Sequence, residues 1–405
     1  MIRSAAPWLV TSLALLGLFL AVLILRDGRA NWAVENRPGN ALAWAPDDPR
    51  ALAGAADAAL IALKTPAETA GVDRLARAAL ARVPAQMDAL SDLGLAAAVR
   101  GDVAQAQTIL KLVAARDPLE PASHFWLLKY ALIKGDAPGL YRNADALLRV
   151  DPSRLTLLAP YLIAAAGPGA RALTVRLATN PPWRAAFLTL LAQKSPDPAL
   201  AFIILTGLAA TSAPPTADEA QAYFDRRLAD HAYQTAYLDW LQLLPPGALA
   251  KAAAVYDGDF AGLPGAGPFN WTFGSGVGGE AQIGPAPDGA PGGALDVHYD
   301  GYATPDLADQ LLALAPGAYR LTGVAHTTGA AAGALAWTVG CAEGPNLTPT
   351  PTPTPDASQG WRAFSLDFTV PDSGCQGQWL RLTPLPGDHQ KTLEVWYRHL
   401  AIHSP

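Results

Sequence analysis

Residues 101–118, GDVAQAQTILKLVAARDP, return in outline at 135–152 as GDAPGLYRNADALLRVDP. Both stretches open with Gly-Asp, close with Asp-Pro and lie 34 residues apart, and Pro84 precedes Pro118 by the same interval. A fixed period of this length is typical of stacked helix pairs, in which each pair buries its apolar face against the next. The sequence therefore predicts an α-helical repeat in this part of the chain.

The period and the residues that recur resemble the tetratricopeptide repeat. In the best unit, the family's packing positions carry small or apolar residues and a proline follows the second helix. These positions are Leu90, Leu93, Gly94, Ala97, Gly101, Ala106, Leu110 and Pro118. The next unit departs from the pattern, with Leu128 in place of glycine and Leu140 in place of alanine. The resemblance implies short helices that cross through small residues and a groove that holds a protein partner. An irregular helical spacer without a groove is the alternative.

An uncharged apolar run of 21 residues, from Ala5 to Leu25, precedes the repeats. A helix of this length crosses a hydrocarbon layer of about 30 Å. We therefore expect a membrane anchor at residues 1–30 and a tether at 31–48. A cleaved signal peptide is the alternative, since residues 28–30 loosely fit a small-x-small site, although signal peptides have shorter apolar regions.

The two cysteines bear on the side of the membrane, because the charges that flank the apolar run do not decide it. Cys341 and Cys375 both lie in the C-terminal part, and a disulfide between them would require an oxidising compartment such as the periplasm. We therefore expect an inner-membrane, single-pass protein with a cytoplasmic N-terminus and its bulk in the periplasm. Two free buried thiols would leave the side open.

The residue composition and the net charge change near Tyr256. From this residue onward 5 basic residues face 14 acidic ones, a balance of −9, which leaves +3 for the preceding part because the whole chain carries −6. Glycine and proline become frequent between short alternating runs, which is typical of a β-sandwich or jelly roll. The predicted strands are 269–273, 295–299, 317–326, 335–341, 361–370, 378–383 and 393–402. Helical repeats are expected at 49–255 and the β-domain at 256–405, a multidomain α and β architecture.

The opening of the β-domain, Asp257-Gly258-Asp259-Phe260 followed by Phe269-Asn270-Trp271, resembles carbohydrate-binding modules of the galactose-binding-like jelly-roll type. The resemblance implies sugar recognition by aromatic rings that stack on a pyranose and by polar groups that bond its hydroxyls. The candidates for this role are Trp271, Tyr302, Asp306, Gln310, Trp337, Trp361 and Trp379. Each tryptophan has the alternative of a place in the core.

Many of these modules hold a structural calcium through acidic groups on their first and last strands. The last strand here ends Tyr397-Arg398-His399-Leu400 without an aspartate, so no cofactor is expected. Asp257, Asp259 and Asp296 are the oxygen ligands that remain available for a calcium ion.

Neither half of the chain is basic enough to suggest nucleic-acid binding. No nucleophile elbow occurs, and any pair of carboxylates for a glycoside hydrolase would be an arbitrary choice among fourteen acids. The expectation is therefore a non-enzymatic, membrane-anchored accessory factor in envelope polysaccharide assembly or export, whose repeats dock a protein and whose β-domain contacts glycan. The alternatives are a scaffold with a purely structural β-domain and, less favoured, a glycoside hydrolase.

Overall fold

The structure is a computed structural model, and it describes residues 7–245, 247–262, 267–289, 291–301, 303–328, 334–385 and 392–404. Helices fill the first part of the described chain and two antiparallel sheets fill the last part. The α and β fold class expected from the sequence is thereby confirmed, with an apolar helix at the N-terminus.

Twelve α-helices occur within the described residues, with short 3-10 helices at Pro38–Ala43, Pro66–Glu68, Pro152–Arg154 and Ala248–Lys251. The α-helices are α1 Pro7–Asn36, α2 Pro49–Ile61, α3 Thr69–Arg82, α4 Met87–Val99, α5 Val103–Arg116, α6 Pro121–Lys134, α7 Ala137–Val150, α8 Leu155–Leu177, α9 Arg184–Lys194, α10 Pro198–Ala209, α11 Ala217–Ala229 and α12 Tyr233–Leu243. The sequence also predicts helices at 183–193, 217–228 and 233–243, since each of these segments is bounded by proline or a capping residue, and they correspond to α9, α11 and α12.

Residues that repeat at 34 positions take the same structural roles. Asp102 caps α5 by accepting a hydrogen bond from the backbone N–H of Gln105, and Asp136 caps α7 in the same way. Gly101 and Gly135, which precede these caps, both have positive φ angles, of 82° and 66°. Such angles favour glycine and reverse the chain between the helices of a pair.

The expected packing positions lie where α4 and α5 meet. Ala97, Ala106 and Leu110 are fully buried, and Leu93 is 9% exposed. A Cβ atom built on Gly94 would lie 2.6 Å from Leu110 Cδ2, so only glycine permits this approach of the two helices.

The apolar helix α1 is long and apolar enough to cross a membrane over Thr11–Val34. It continues to Asn36, so the segment expected to be a tether begins as helix and then folds back. Ala33 packs against Ala41 and Ala51, and the Arg26 guanidinium donates to the Trp44 carbonyl at 3.1 Å. Within the segment expected to be a tether, Ala33 and Ala41 thus belong to a small buried cluster with Ala51.

The chain divides into two compact units, and the boundary between them precedes the point in the sequence where helices give way to strands. One unit comprises Met1–Arg176 with Pro181–Trp183, and the other comprises Leu177–Asn180 with Arg184–Pro405. Helices α9–α12 thus belong to the same compact unit as the sandwich. The domain predicted from the sequence at 49–255 places these helices with the repeats.

The strands are β1 Thr272–Phe273, β2 Ser275–Gly276, β3 Gly279–Pro285, β4 Gly293–Tyr299, β5 Ala308–Leu312, β6 Gly317–Thr328, β7 Leu335–Cys341, β8 Thr352–Pro353, β9 Arg362–Val370, β10 Gln378–Pro384 and β11 Leu393–His403. They form a five-stranded sheet in the order β1-β5-β10-β7-β8 and a six-stranded sheet in the order β2-β3-β4-β11-β6-β9. All seven predicted strands are present, and β5 is a strand that the alternation did not indicate.

Aromatic rings join the two sheets through the core. Trp271 and Trp337 meet edge to face at 5.8 Å between ring centroids, and Trp337 meets Tyr397 at 5.4 Å. Cys341 at the end of β7 forms a disulfide with Cys375, as expected from the sequence. An oxidising compartment is the environment in which such a bond persists.

Helix α12 packs on the same sandwich through aromatic side chains. Tyr237 meets Phe269 at 5.2 Å and Trp240 meets Tyr256 at 4.9 Å between ring centroids. The hydroxyl of Tyr233 donates to Glu343 at 2.7 Å. These contacts explain why α9–α12 and the strands form one compact unit.

Candidate functional site

Strand alternation divides β11 into an inner and an outer set of side chains. Val395 and Tyr397 are fully buried between the sheets, whereas Glu394, Trp396 and Arg398 point to the outside of the six-stranded sheet. Neighbouring strands alternate in the same way, since successive residues of a strand face opposite sides. The outer side chains of β3, β4, β11 and β6, together with Trp361, form a surface that we call the six-stranded face.

One row of side chains crosses this face. The register pairs Gln282 with Asp296, Asp296 with Trp396, and Trp396 with His326. Because Ala325 pairs with Arg362, the preceding residue Trp361 completes the row beside His326. With about 4.8 Å between strands, these five positions extend over roughly 19 Å. The central row therefore reads Gln-Asp-Trp-His-Trp and is long enough to follow an extended polymer.

The aromatic part of the central row is in ring contact. His326 meets Trp396 at 5.9 Å and Trp361 at 5.7 Å between ring centroids, with interplanar angles of 76° and 67°. All three side chains are partly exposed. They combine apolar ring surface with polar edges, which is the composition that a sugar ring requires of a protein surface.

A second row of polar side chains lies beside the first. The register aligns Glu280, His298, Glu394 and Thr328 across the same four strands. His298 and Glu394 are about half exposed and 4.0 Å apart. This row offers acceptors and donors to hydroxyl groups at one side of the central row.

A loop holds the tryptophan end of the face. The indole Nε1 of Trp361 donates to Asp288 at 2.8 Å, and Arg398 Nη2 donates to the carbonyl of Pro291 at 2.8 Å. The Arg398 guanidinium carbon lies 5.7 Å from the centroid of the Trp361 ring. Trp361 is thus fixed by contacts outside its own strand, which limits the side-chain entropy that a bound ligand would have to remove.

One acidic side chain of the face, Asp296, has an altered pKa. Burial raises the pKa of Asp296 above its ordinary value, and Glu394 and Glu280 raise it further while a hydrogen bond from Gln282 opposes the shift. Two buried nitrogens, His326 Nδ1 and Arg398 Nε, have no hydrogen-bond partner among the described residues. A buried polar atom without a partner costs free energy.

The outer side of the five-stranded sheet, the five-stranded face, carries a smaller polar group. Arg381 pairs in register with Asp309 and Thr338, and its guanidinium carbon lies 5.2 Å from the ring centroid of Trp379. Asp306 lies 3.9 Å from Arg381 Nε. Burial and then the charge of Asp306 raise the pKa of Asp309 to about 6, although Arg381 lowers it. On this face the guanidinium of Arg381 already lies over the ring of Trp379.

The candidates named from the sequence fall into four groups. Trp271 and Trp337 are 2% and 3% exposed and Gln310 is 1% exposed, so these three side chains lie inside the sandwich rather than on either outer face. The Gln310 amide instead bonds both backbone groups of Tyr256, at 2.9 and 3.0 Å. Trp361 lies on the six-stranded face, Asp306 and Trp379 lie at the five-stranded face, and Tyr302 is outside the described residues.

The three aspartates considered for calcium have separate surroundings. Asp257 is buried, accepts from the backbone of Gly262 at 2.8 Å and pairs with Lys251 at 3.0 Å. Asp259 lies 2.5 Å from His399, and Asp296 lies in the central row. No group of three His, Cys, Asp or Glu side chains suited to a metal ion occurs in the part of the chain that the structure describes.

Sequence reasoning missed most of the six-stranded face. Trp396, His326, Asp296 and Gln282 come from four strands, and only the pairing register places them side by side. The signal that was available is the alternation within β11, where Glu394, Trp396 and Arg398 interrupt an apolar pattern at every second residue.

Comparison with known proteins adds similarities of fold. No protein-family model matches the chain, and no curated protein matches it. A solved structure described as a sugar-binding protein from Bacteroides thetaiotaomicron is 11% identical with a TM-score of 0.28, covering 38% of this chain and 100% of that one. The xylan-binding domain CBM22-1 of Paenibacillus barcinonensis Xyn10C is 13% identical with a TM-score of 0.27, covering 36% and 90%. The module TmCBM61, solved with β-1,4-galactotriose, is 12% identical with a TM-score of 0.24, covering 33% and 88%. No residue role is transferred from these structures.

Proposed function

We propose that the sandwich binds a polysaccharide on the six-stranded face, without catalysis, and that the chain acts as an accessory factor in the assembly or export of an envelope glycan. The observation that carries the proposal is the central row, in which Trp396, His326 and Trp361 continue the polar pair Gln282 and Asp296. An aromatic ring covers the apolar side of a pyranose while neighbouring carboxylates and amides bond its hydroxyls. A row across five strands presents both elements along one line.

The arrangement is open rather than enclosed, which suits a polymer better than a small metabolite. Small-molecule sites bury most of their ligand in a concave pocket. The central row instead lies across the strands of a sheet, and its members are partly exposed. We infer that the ligand lies along the row and is held at several sugar units.

Binding is tested with the full-length protein in detergent against soluble polysaccharides, with affinity electrophoresis or calorimetry as the readout. The matched variants are Trp396→Ala on the six-stranded face and Trp379→Ala on the five-stranded face. We expect binding that is lost in the first and retained in the second. Absence of binding by folded wild-type protein to a broad panel, including polysaccharide from its own source, would overturn the proposal.

A fragment for this test should begin at Arg184 rather than near Tyr256. Removal of α9–α12 would strip Tyr237 from Phe269 and Trp240 from Tyr256, and would expose the apolar surface that these rings cover. A fragment from Arg184 keeps the compact unit to which the sandwich belongs, except for Leu177–Asn180.

Membrane anchoring by α1, with the remainder of the chain outside the cytoplasm, completes the proposal. Helix α1 has the required length and composition, and the Cys341–Cys375 disulfide supports an oxidising location for the sandwich. At the end of the apolar run, Trp44 stacks with Arg29 at 5.1 Å and Trp32 with Arg37 at 5.7 Å. Tryptophan and arginine are typical of the membrane–water interface. Protection of the sandwich from protease in intact spheroplasts would contradict this orientation.

A second candidate function, the docking of a protein by a tetratricopeptide-type repeat, is favoured by one observation in the helical unit. Asp92 on α4 is 4% exposed, and its Oδ2 has no hydrogen-bond partner among the described residues. Burial, and then the charges of Asp57, Asp88 and Glu120, raise the pKa of Asp92 to about 8. A basic group from a partner would relieve this accumulation of acids.

A pure scaffold and a glycan-binding factor make different predictions for one deletion and two sets of substitutions. If the repeats alone define the role, co-purification of a defined membrane complex will survive removal of residues 184–405 and will weaken with Asp57→Asn and Asp88→Asn together. If glycan contact defines the role, Trp396→Ala will abolish function while that complex remains intact.

A further inference from the structure

The segment Thr348–Pro355 alternates threonine and proline, and its four threonines have two different environments. Thr348 and Thr354 are 2% and 4% exposed, whereas Thr350 and Thr352 are exposed. The four threonines follow one sequence pattern, but the fold buries the first and the last of them and leaves the two between them exposed to solvent.

The buried pair anchors the segment to the sandwich. The hydroxyl of Thr348 accepts a hydrogen bond from the backbone N–H of Val339 at 3.0 Å. The hydroxyl of Thr354 lies 2.9 Å from the Leu335 carbonyl and 2.7 Å from the Tyr397 hydroxyl. Both threonines therefore have structural roles that their hydroxyls satisfy, and both are closed to an enzyme.

The exposed pair has no comparable structural role. Thr352 begins β8, the strand at one edge of the five-stranded sheet, and pairs with Trp337. Neither the Thr350 nor the Thr352 hydroxyl has a hydrogen-bond partner among the described residues. The core would lose nothing if these hydroxyls carried a substituent.

Prolines on both sides fix the backbone around each exposed threonine. Pro349, Pro351 and Pro353 have no backbone N–H and hold φ near −65°, so the chain is extended and offers few donors to a neighbouring strand. Such an edge resists pairing with another chain. It also presents a threonine hydroxyl on a stiff, extended backbone, the form in which an active-site cleft can accept a chain. Threonine-rich segments with proline are the composition that carries O-linked glycans in mucin-like stalks.

We propose that Thr350 and Thr352 are acceptors for O-linked glycosylation. The threonine Oγ attacks the anomeric carbon of a lipid-phosphate-linked sugar, the bond from that carbon to the phosphate oxygen breaks, and the lipid phosphate leaves with the electron pair. The hydroxyl proton passes to a base of the transferase. The disulfide between Cys341 and Cys375 is consistent with a location where lipid-linked sugars are available and ATP for a protein kinase is not.

The modification would have a physical consequence at the edge of the sheet. A glycan on Thr352 would cover the outer side of β8 with a bulky, hydrated group and would add to the protection that the prolines give. This site is separate from the six-stranded face, so the inference stands independently of glycan binding there.

The test is mass spectrometry of the full-length protein purified from its native membranes under denaturing conditions, which remove any non-covalent sugar. Cleavage after Glu343 and Arg362 yields one fragment, Gly344–Arg362, that contains all four threonines together with Ser358. Fragmentation by electron transfer locates each substituent. We expect sugar-residue mass increments on Thr350 and Thr352 and none on Thr348 or Thr354.

Internal controls keep the outcome decisive. Ser358 is exposed, but it lacks flanking prolines and its hydroxyl donates to Asp356 at 2.9 Å, so we expect it to remain unmodified. The double variant Thr350→Val, Thr352→Val should lose the increments completely while it retains the disulfide and the circular dichroism of the wild type. An unmodified fragment, phosphate increments, or sugar confined to Ser358 would each overturn the proposal.

Discussion

The two outer faces of the sandwich are built from similar residues but in different arrangements. Each has an outward tryptophan on a central strand, Trp396 or Trp379, with an arginine and an aspartate nearby. On the five-stranded face the arginine lies over that tryptophan. On the six-stranded face Arg398 lies over a different tryptophan, Trp361, and donates to the carbonyl of Pro291. Arg398 therefore does not lie over the ring of Trp396, the tryptophan at the centre of the six-stranded sheet.

The difference teaches that residue type does not distinguish a binding face from a solvated one. Arg381 on the five-stranded face has Trp379, Asp306 and Asp309 as neighbours, so the charges and the ring interact with one another. On the six-stranded face, Trp396 is flanked by Asp296 and His326, and the His326 Nδ1 has no partner among the described residues. Among the described residues, buried nitrogens without a partner occur on both faces, since Arg381 Nε is one of them, so the difference between the faces lies in the tryptophan ring. A sugar would have to displace Arg381 to stack on Trp379, whereas Arg398 lies over Trp361 and not over Trp396.

The largest expected effect comes from the disulfide, which belongs to the five-stranded sheet. Cys341 lies on β7 and Cys375 shortly precedes β10, and both are strands of that sheet. Replacing both cysteines by serine should lower the free energy of unfolding by about 3–4 kcal/mol, because a bridge across 34 residues restricts the unfolded chain. Urea denaturation measures this loss. Equal stability with and without the bridge would contradict it, and glycan binding by the variant in the absence of urea should remain.

The matched tryptophans give the sharpest test of the comparison. Trp396→Ala should weaken polysaccharide binding at least tenfold, equivalent to about 1.4 kcal/mol, because an aromatic platform in the centre of the row is lost. Trp379→Ala should change binding less than twofold. The dissociation constants of the two variants, measured by calorimetry at one pH, decide between the faces. The reverse order would assign the ligand to the five-stranded face.

The helical part of the fold could be predicted well from the sequence because its information is local. Gly101 and Asp102 recur at Gly135 and Asp136, and in each pair a backbone reversal and a helix cap are set by the residues themselves. Strand positions were accessible for the same reason, through alternation. The fold-back of 31–48 was missed because it depends on Ala33, Ala41 and Ala51 meeting in space.

The candidate site could be predicted only in part because its information is not local. Trp361 was found as an aromatic residue at a strand end. Trp271 and Trp337 are the same residue type as Trp361, but they face the core. The spacing of residues along a strand alone did not fix which side each of them faces. The central row needs a register between β4, β11 and β6, whose members are separated by long stretches of chain. Sheet register follows from tertiary packing, so it is absent from any single strand.

A smaller effect should come from Asp309 on the five-stranded face. Its pKa is about 6 in the folded protein against 3.8 ordinarily, so between about pH 4 and pH 6 the folded state binds more protons than the unfolded state. Stability should therefore fall as the pH rises through this window, by about 1 kcal/mol once solvent screening is allowed for. Asp309→Asn should flatten that dependence in urea titrations at a series of pH values. An unchanged slope in the variant would assign the effect to another group.

The smallest expected effect concerns Asp296 on the six-stranded face and would show that its carboxylate takes part in binding. Burial raises the pKa of Asp296, so acidification should protonate it at a pH above its ordinary value of 3.8 and remove an acceptor for a sugar hydroxyl. Affinity should then fall about two- to threefold toward acidic pH, since a hydrogen bond at the lower end of the usual range contributes about 0.5 kcal/mol. Asp296→Asn should bind with an affinity that no longer depends on pH in this range, whereas Asp309→Asn should retain the dependence. If both variants kept it, the dependence would come from another group, and Asp296 would serve to position Trp396 rather than to hold the ligand.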